Sequence, residues 1–337
     1  MAEKRIYDIP HFNELLWKYV RKGNDLNISF GLRPSGTVHL GNLFTLALAG
    51  EMANRIGPHV SKLVLTVLDT EAPFVGDWNF IDKKYVRHYK DLPCEGYNSF
   101  SQRSSEEMFQ AMESLNEEMK VPYQLRFLSD VQRDPSFRKG LKNVLDSEES
   151  KDLVYTNGNG RVEVFPLCRN CGTSYMNSIK GKTNKYHEGI ISTICSNPEC
   201  DVDEYSVNVL DTSRDISVHP IMGALRDLVD PVTEVHVYGG DYASPHGESR
   251  EPKIAKIKRV MEVAAPTQPL DFFVGPTIFA KGREKMSKSS HNGVTHNQLR
   301  KLFGDDYMKK VLDFTRGILD EEYSLVDFAV VQDRLLR

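Results

Sequence analysis

Leu26 to Leu32 (LNISFGL) alternates apolar and polar side chains and then breaks at Arg33-Pro34-Ser35-Gly36, which predicts a strand running into a tight turn. Beyond the turn, Leu40, Leu43, Phe44, Ala47 and Leu48 recur at three- and four-residue spacing, the stripe of a helix with one apolar side. Leu63 to Leu68 (LVLTVL) is almost continuously apolar, as suits a parallel strand covered on both faces. Met108, Met112, Leu115 and Met119 mark a second helical stripe, and Tyr123, Leu125 and Phe127 share one face of a third strand. The pattern then repeats: Val235 and Val237 alternate into Gly239-Gly240, Ile254, Ile257 and Met261 form a stripe, and Leu270 to Val274 (LDFFV) closes as a strand. Two such halves predict an α/β fold with a doubly wound parallel sheet, whose ligands sit at the carboxyl ends of the strands.

Between the halves, residues 129–209 change character. This stretch opens Asp130-Val131-Gln132-Arg133-Asp134-Pro135, passes the polar runs Asp146 to Asp152 and Asn157-Gly158-Asn159-Gly160, and holds four of the five cysteines. It reads as an inserted module. Thr295, with Gln298 three positions on, is a capping-box pattern followed by Leu299, Leu302 and Phe303 on one face, so the chain turns helical again. The expected division is 1–128 and 210–293 as two halves of a ligand-binding domain, 129–209 as the insertion and 294–337 as a short helical segment.

Cys168-x2-Cys171 and Cys195-x4-Cys200 are two knuckle-like pairs separated by 23 residues, with Gly172 and Pro198 supplying turn geometry. Four thiolates at that spacing fit a tetrahedral structural Zn²⁺ site with no position open to substrate. Disulfides are the competing reading, and a reducing compartment disfavours them. Cys94, alone, reads as a buried or idle thiol.

A length of 337 residues predicts two domains, or one domain carrying a large insertion. An apolar content of 40% and a charged content of 27% are those of a soluble globular protein. No window approaches the roughly 18 unbroken apolar residues of a membrane span, and residues 1–10 (MAEKRIYDIP) lack the apolar core of a secretory signal. The expected address is cytoplasmic, with no membrane partner. A net charge of −4 gives no global drive toward nucleic acid, so an RNA partner would need a local patch such as Lys253 to Arg259 or Lys281 to Lys288. Lysines at helical spacing are more often a solvated face.

Two segments carry the candidate chemistry. Pro34-Ser35-Gly36-Thr37-Val38-His39-Leu40-Gly41-Asn42 places an imidazole at a strand-to-helix turn, where free helix N–H groups and the dipole favour an anion. Gly36 and Gly41 remove Cβ atoms where a nucleotide would approach the backbone, and His39 can donate to a phosphate oxygen as charge grows on it. Lys285-Met286-Ser287-Lys288-Ser289, between Gly282 and Gly293, adds two cations on flexible stems and two hydroxyls. A capped turn and a solvated basic loop are the plainer readings of each segment alone; their joint occurrence favours a triphosphate. Asp69 and Glu71 end the second strand at the same edge, where a carboxylate suits a cationic side chain such as lysine. Asp241, after Gly239-Gly240, is placed for a ribose hydroxyl or a substrate ammonium. His187, His219, His236, His246 and His291 receive no role.

PSGTVHLGN and KMSKS resemble the two signature motifs of class I aminoacyl-tRNA synthetases, the first in the form of the class I lysyl-tRNA synthetases. The likeness extends through Asp69-Thr70-Glu71-Ala72-Pro73, the cysteine-rich insertion and Gly239-Gly240-Asp241-Tyr242, covering about residues 24–300. It implies a Rossmann-like core of class I synthetase type with a zinc-ribbon-like insertion. The implied reaction is amino-acid activation, lysine foremost: the substrate carboxylate attacks the α-phosphorus of ATP and Mg²⁺ assists the departing pyrophosphate. On this likeness His39, Lys285 and Lys288 are catalytic. Pro34, Gly36, His39, Gly41, Asn42, Gly239, Asp241, Met286, Ser287 and Ser289 line the ATP site, and Asp69, Glu71, Gly240 and Tyr242 the amino-acid site.

Two features depart from the resemblance. Class I lysyl enzymes carry a more serine-rich late motif, and they continue into a large helical anticodon-binding region where only 49 residues follow Lys288 here. The acceptor is therefore open between a tRNA, charged through its acceptor arm, and a protein, small molecule or modified nucleoside. A nucleotidyltransferase-type adenylate-forming ligase and a silent binding protein are the competing classes; the four-cysteine insertion and the complete late motif speak against them.

Overall fold

The computed structural model describes residues 5–23, 25–71, 88–156, 161–173, 184–195, 197, 199–218, 221–230, 232–243, 251–279, 294–321 and 325–327. A six-stranded, wholly parallel sheet runs through its centre. Its strands lie in the order β1 (Ile6–Tyr7), β13 (Asp271–Val274), β12 (Thr233–Tyr238), β2 (Leu26–Leu32), β3 (Val60–Val67) and β4 (Tyr123–Phe127). In the register, Phe30 pairs with Leu65 on one side and Val237 on the other. The strands and the helices α2 (Leu40–Ile56), α3 (Phe100–Met119) and α7 (Lys253–Ala264) coincide with the periodic segments of the sequence.

Both faces of the sheet are covered, which makes it doubly wound. On the first face, Ile28, Phe30, Leu63, Leu65, Val235, Val237 and Phe273 pack against α1 (Phe12–Lys22), α2, α3 and α9 (Tyr307–Asp320). On the second, Phe272, Val274 and Tyr238 pack against α7, α4 (Leu128–Val131), α5 (Pro135–Asp146) and the 3₁₀ segment Met222–Val229. The centre of this second face is polar instead of apolar. Asn27, Ser29, Thr66 and His236 are all buried there, and Asp227 and Asp230 descend on them from the covering segment.

Between β4 and β12 the chain also forms α6 (Lys151–Val154) and an antiparallel sheet in the order β10 (Glu204–Asn208), β9 (Ile190–Ile194), β8 (Lys185–His187), β6 (Arg161–Val162) and β5 (Tyr155–Thr156). A two-stranded ribbon joins β7 (Val164–Pro166) to β11 (Ile216–Val218). After the central sheet, α8 (His296–Phe303) opens with the Thr295/Gln298 capping box expected from sequence. Leu302 departs from the expected stripe: it is 64% exposed, because this two-turn helix buries only His296 and Leu299. The strand β15 (Leu325–Asp327) pairs in parallel with β14 (Thr277–Phe279), which follows β13 directly. In α2 the buried carboxylate of Glu51 takes Arg55 at 2.8 Å and, from α9, Arg316 at 3.0 Å, so the late helix is tied to the first face by charge as well as by packing.

Gly240 sits where two strand ends meet. A Cβ on it would lie 2.4 Å from the amide nitrogen of Thr277 and 2.6 Å from the carbonyl oxygen of Pro276, both rigid backbone. Gly240→Ala should therefore push the turn after β12 away from the β13–β14 connection and cost about 1–3 kcal/mol, read as a lowered urea midpoint with an unchanged m-value.

Candidate functional site

The chain order reverses at β2. From there β3 and β4 succeed one another on one side, whereas β12 and β13 lie on the other. In a parallel sheet such a reversal leaves a crevice beyond the carboxyl ends of the two strands that diverge, because their onward connections leave over opposite faces. The segments bounding it are Arg33 to Val38 after β2, Leu68 to Glu71 after β3, and Gly239 to Ala243 after β12.

His39 is the N-cap of α2. Its backbone is extended, its Nδ1 accepts the Gly41 N–H at 3.0 Å, and Asn42 Oδ1 accepts the His39 N–H at 3.3 Å, a complete capping box. A neutral imidazole whose Nδ1 accepts carries its proton on Nε2. The cap itself favours glycine at position 41, since a Cβ there would lie 2.8 Å from His39 Cε1. The turn is held from α3: Glu107 Oε2 accepts the Val38 N–H at 2.7 Å and Ser104 Oγ donates to the Gly36 carbonyl at 3.0 Å. Glu107 is buried, and sequence reasoning missed it, because a glutamate one residue before Met108 carries no mark in a helical stripe.

The same turn meets the late part of the chain. Leu40 N–H donates to the Val294 carbonyl and His296 N–H to the Val38 carbonyl, each at 2.8 Å, so that His39 and Thr295 face one another across an antiparallel bridge. Lys285, Met286, Ser287, Lys288 and Ser289 lie outside the described residues, as do His219, His246 and His291.

The carboxylates expected at the edge behave differently from each other. Asp69 spends both oxygens on one residue, accepting Ser129 N–H at 2.9 Å and Ser129 Oγ–H at 2.6 Å; burial raises its pKa against those bonds. Glu71 is paired with Arg33 Nε at 3.1 Å. Burial nevertheless pushes its pKa up to about 7, against the opposing fields of Arg33 and Arg226. Asp241 is half-buried, 3.8 Å from Lys253 Nζ, and the Tyr242 ring lies 5.6 Å from that ammonium and 4.7 Å from the ring of Tyr238. Beneath them runs a chain of buried polar contacts that the sequence did not announce. Arg226 Nη2 donates to His236 Nε2, His236 Nδ1 donates to Asp227, and Asp227 Oδ1 accepts Ser29 Oγ–H at 2.8 Å and faces Arg126 at 3.4 Å. Burial and the neighbouring guanidinium of Arg226 hold the His236 pKa down to about 4, so the ring is neutral at pH 7.

Away from this edge, Cys168, Cys171, Cys195 and Cys200 converge, their sulfurs all within 4.8 Å of one another. Cys168 and Cys200 are 3.8 Å apart and Cys171 and Cys195 3.4 Å, close to the roughly 3.8 Å edge of a tetrahedron of sulfurs each about 2.3 Å from one ion. All five cysteines are free thiols, and Cys94 takes a contact from Arg103 Nη1 at 3.5 Å. The basic stretch Lys253 to Arg259 is largely neutralised: Lys253 faces Asp241, Lys258 faces Glu262, and Arg259 faces Asp152 and Glu251. His187 is exposed. No helix among the described residues is long and apolar enough to cross a membrane.

No protein-family model and no curated protein matches the chain. Among solved structures it is similar to a chain described as an arginyl-tRNA synthetase from Campylobacter jejuni, at 12% identity and a TM-score of 0.40 over 96% of this chain and 72% of that one. It is also similar to tyrosyl-tRNA synthetase from Archaeoglobus fulgidus complexed with L-tyrosine (10% identity, TM-score 0.40, 96% of this chain and 94% of that). Tryptophanyl-tRNA synthetase from Campylobacter jejuni follows (10% identity, TM-score 0.37, 93% and 84%). Likeness at this level says nothing of ligand or reaction.

Glu71 makes the edge sensitive to pH. A carboxyl raised from 4.5 to about 7 on folding contributes stability that is present below pH 4.5 and lost as pH rises through 7. Glu71→Gln removes that titration while the other groups cancel between the two proteins. Its stability relative to wild type should therefore rise by about 2–3 kcal/mol from pH 5 to pH 8 in paired urea denaturations.

Proposed function

We propose that this chain activates an amino acid with ATP, forming an aminoacyl adenylate and releasing pyrophosphate, and then passes the aminoacyl group to an acceptor. The observation that carries this reading is the backbone pairing of Val38–Leu40 with Val294–His296 at the crevice where strand order reverses. Five residues lie between Lys288 and Val294, a tether of at most about 20 Å of extended chain, which supports the two motifs acting at one place. There the N-terminus of α2 offers its free N–H groups and dipole to an anion, and the cap directs the His39 proton to Nε2.

In this reading His39 donates from Nε2 to a phosphate oxygen, and Lys285 and Lys288 neutralise the charge that builds on the departing pyrophosphate. The protein contributes position and charge, not a covalent intermediate. Mg²⁺, bound with ATP, supplies further charge to the phosphates. Pro34, Gly36, Gly41, Asn42, Gly239, Asp241, Met286, Ser287 and Ser289 complete the nucleotide site, and Gly240 and Tyr242 border the amino acid. Lysine is the substrate suggested by the sequence resemblance. Glu71, with one carboxylate oxygen lacking a hydrogen-bond partner among the described residues, is the group that supports it, whereas Asp69 is committed to Ser129. The four cysteines hold a structural Zn²⁺. The acceptor is a tRNA or another amine- or hydroxyl-bearing molecule.

ATP–pyrophosphate exchange across the twenty amino acids, with and without total tRNA, tests this. Exchange should depend on one amino acid, lysine on the present reading. Lys288→Ala should lower it about 10²- to 10³-fold. His39→Asn, which preserves an N-cap acceptor, should melt as wild type and still lose exchange. Exchange with no amino acid, or unimpaired exchange in Lys288→Ala, defeats the proposal. Metal analysis should find one zinc per chain, absent from Cys195→Ser, which should unfold at a lower temperature.

A further inference from the structure

The turn between β2 and α2 is fastened from outside its own helix. On one side Ser104 Oγ of α3 donates to the Gly36 carbonyl at 3.0 Å, and one turn further along α3 Glu107 Oε2 accepts the Val38 N–H at 2.7 Å. On the other, the Val38 carbonyl accepts the His296 N–H at 2.8 Å. Val38 is therefore clamped through both of its backbone groups, and its side chain is buried. His39 comes next. Its capping box sets the ring relative to α2, whereas the clamp on Val38 sets where that ring stands relative to the sheet edge.

Glu107 is a demanding way to hold one amide. It is 5% exposed and shares the buried side of α3 with Ser104, Met108 and Ala111, where a carboxylate loses its water. Arg103 Nε offsets part of that loss, facing Oε1 at 3.3 Å from the preceding turn of the same helix. A shorter polar side chain would bring less desolvation if α3 stood nearer the turn. What glutamate adds is reach: its carboxylate spans the gap from α3 and meets the amide at 2.7 Å. Its charge is balanced by Arg103, so the turn draws on the length of the arm, and no uncompensated anion stands beside the place proposed for phosphates.

Building on the amino-acid-activating reading, we infer that Glu107 is a positioning residue for His39, acting through the Val38 amide to hold the imidazole where its Nε2–H meets the phosphate. Glu107 itself touches neither substrate. Drawing its carboxylate back by one methylene would leave the buried Val38 N–H bare or pull it toward α3, and His39 would follow. A displacement of about 1 Å at a reacting group costs on the order of 10²-fold in rate.

Two conservative variants of the full chain separate reach from charge. Glu107→Gln keeps the arm and an acceptor oxygen and loses the charge, whereas Glu107→Asp keeps the charge and shortens the arm. In ATP–pyrophosphate exchange, Glu107→Asp should lower kcat about 10- to 100-fold with the KM for the amino acid unchanged, and Glu107→Gln should stay within about threefold of wild type. Amide hydrogen exchange at Val38, followed without substrates, should be slow in wild type and Glu107→Gln and at least about tenfold faster in Glu107→Asp. Faster amide exchange at Val38 with a wild-type kcat in Glu107→Asp overturns the inference, since the clamp then serves the fold alone. So do equal losses of kcat in the two variants, which would assign the effect to charge, and unchanged amide exchange at Val38 in Glu107→Asp. A wild type that exchanges pyrophosphate with no amino acid instead removes the reading on which the inference rests, while the Val38 amide still reports whether Glu107 holds the turn.

Discussion

The reversal of strand order between β2 and β12 is the constraint on which the rest of the molecule depends. Because β2 has hydrogen-bonded neighbours on both sides, its whole length is enclosed, and the chain can leave it only beyond its carboxyl end. The onward connection from β2 rises over one face into α2, and that from β12 turns over the other. The gap between them is thus a product of topology, and no side chain had to be sacrificed to open it. What the sequence adds is the choice of residues at its rim: a histidine that caps a helix, a glycine that lets two turns touch, and a glutamate kept under cover.

The second face of the sheet is unusual in being polar at its centre. Apolar side chains would be the simpler filling for a strand covered on both sides, and buried ions cost desolvation that their mutual attraction only partly returns. Here Ser29, His236, Asp227, Arg126 and Arg226 contact one another in sequence across β2, β12, β4 and the covering segment. Burial and the guanidiniums oppose a charge on the imidazole, and it is the uncharged ring that can both give a proton to Asp227 and receive one from Arg226. Such a chain of contacts fixes the direction of its last member more tightly than van der Waals packing alone would.

Strong periodicity made the framework legible. The stripe of Leu40 to Leu48, the run of Leu63 to Leu68 and the capping box at Thr295 are local statements, and the structure holds them as written. The polar seam was not legible for a physical reason. Asn27 and Ser29 alternate with apolar residues as a solvent-facing side would, and only the arrival of Asp227 and Asp230, about two hundred positions later, makes that side an interior. Glu107 is hidden in the same manner, since its partner is the amide of Val38. Asp69 was legible at its strand end, but its partner was not: both of its oxygens accept from Ser129 of a neighbouring helix, sixty positions on. The late motif falls outside the described residues, so its role rests on its sequence and on where its flank is fastened.

The bridge between His39 and Thr295 joins residues 256 positions apart. Contacts of such high order are expensive in loop entropy and form late, once the intervening strands have found their places. During synthesis the imidazole emerges early and must wait for most of the remaining chain before its counterpart exists. A nascent or truncated polypeptide therefore carries the capped turn of α2 without the strand-like partner that braces it, and this edge of the sheet is completed only with the last part of the chain.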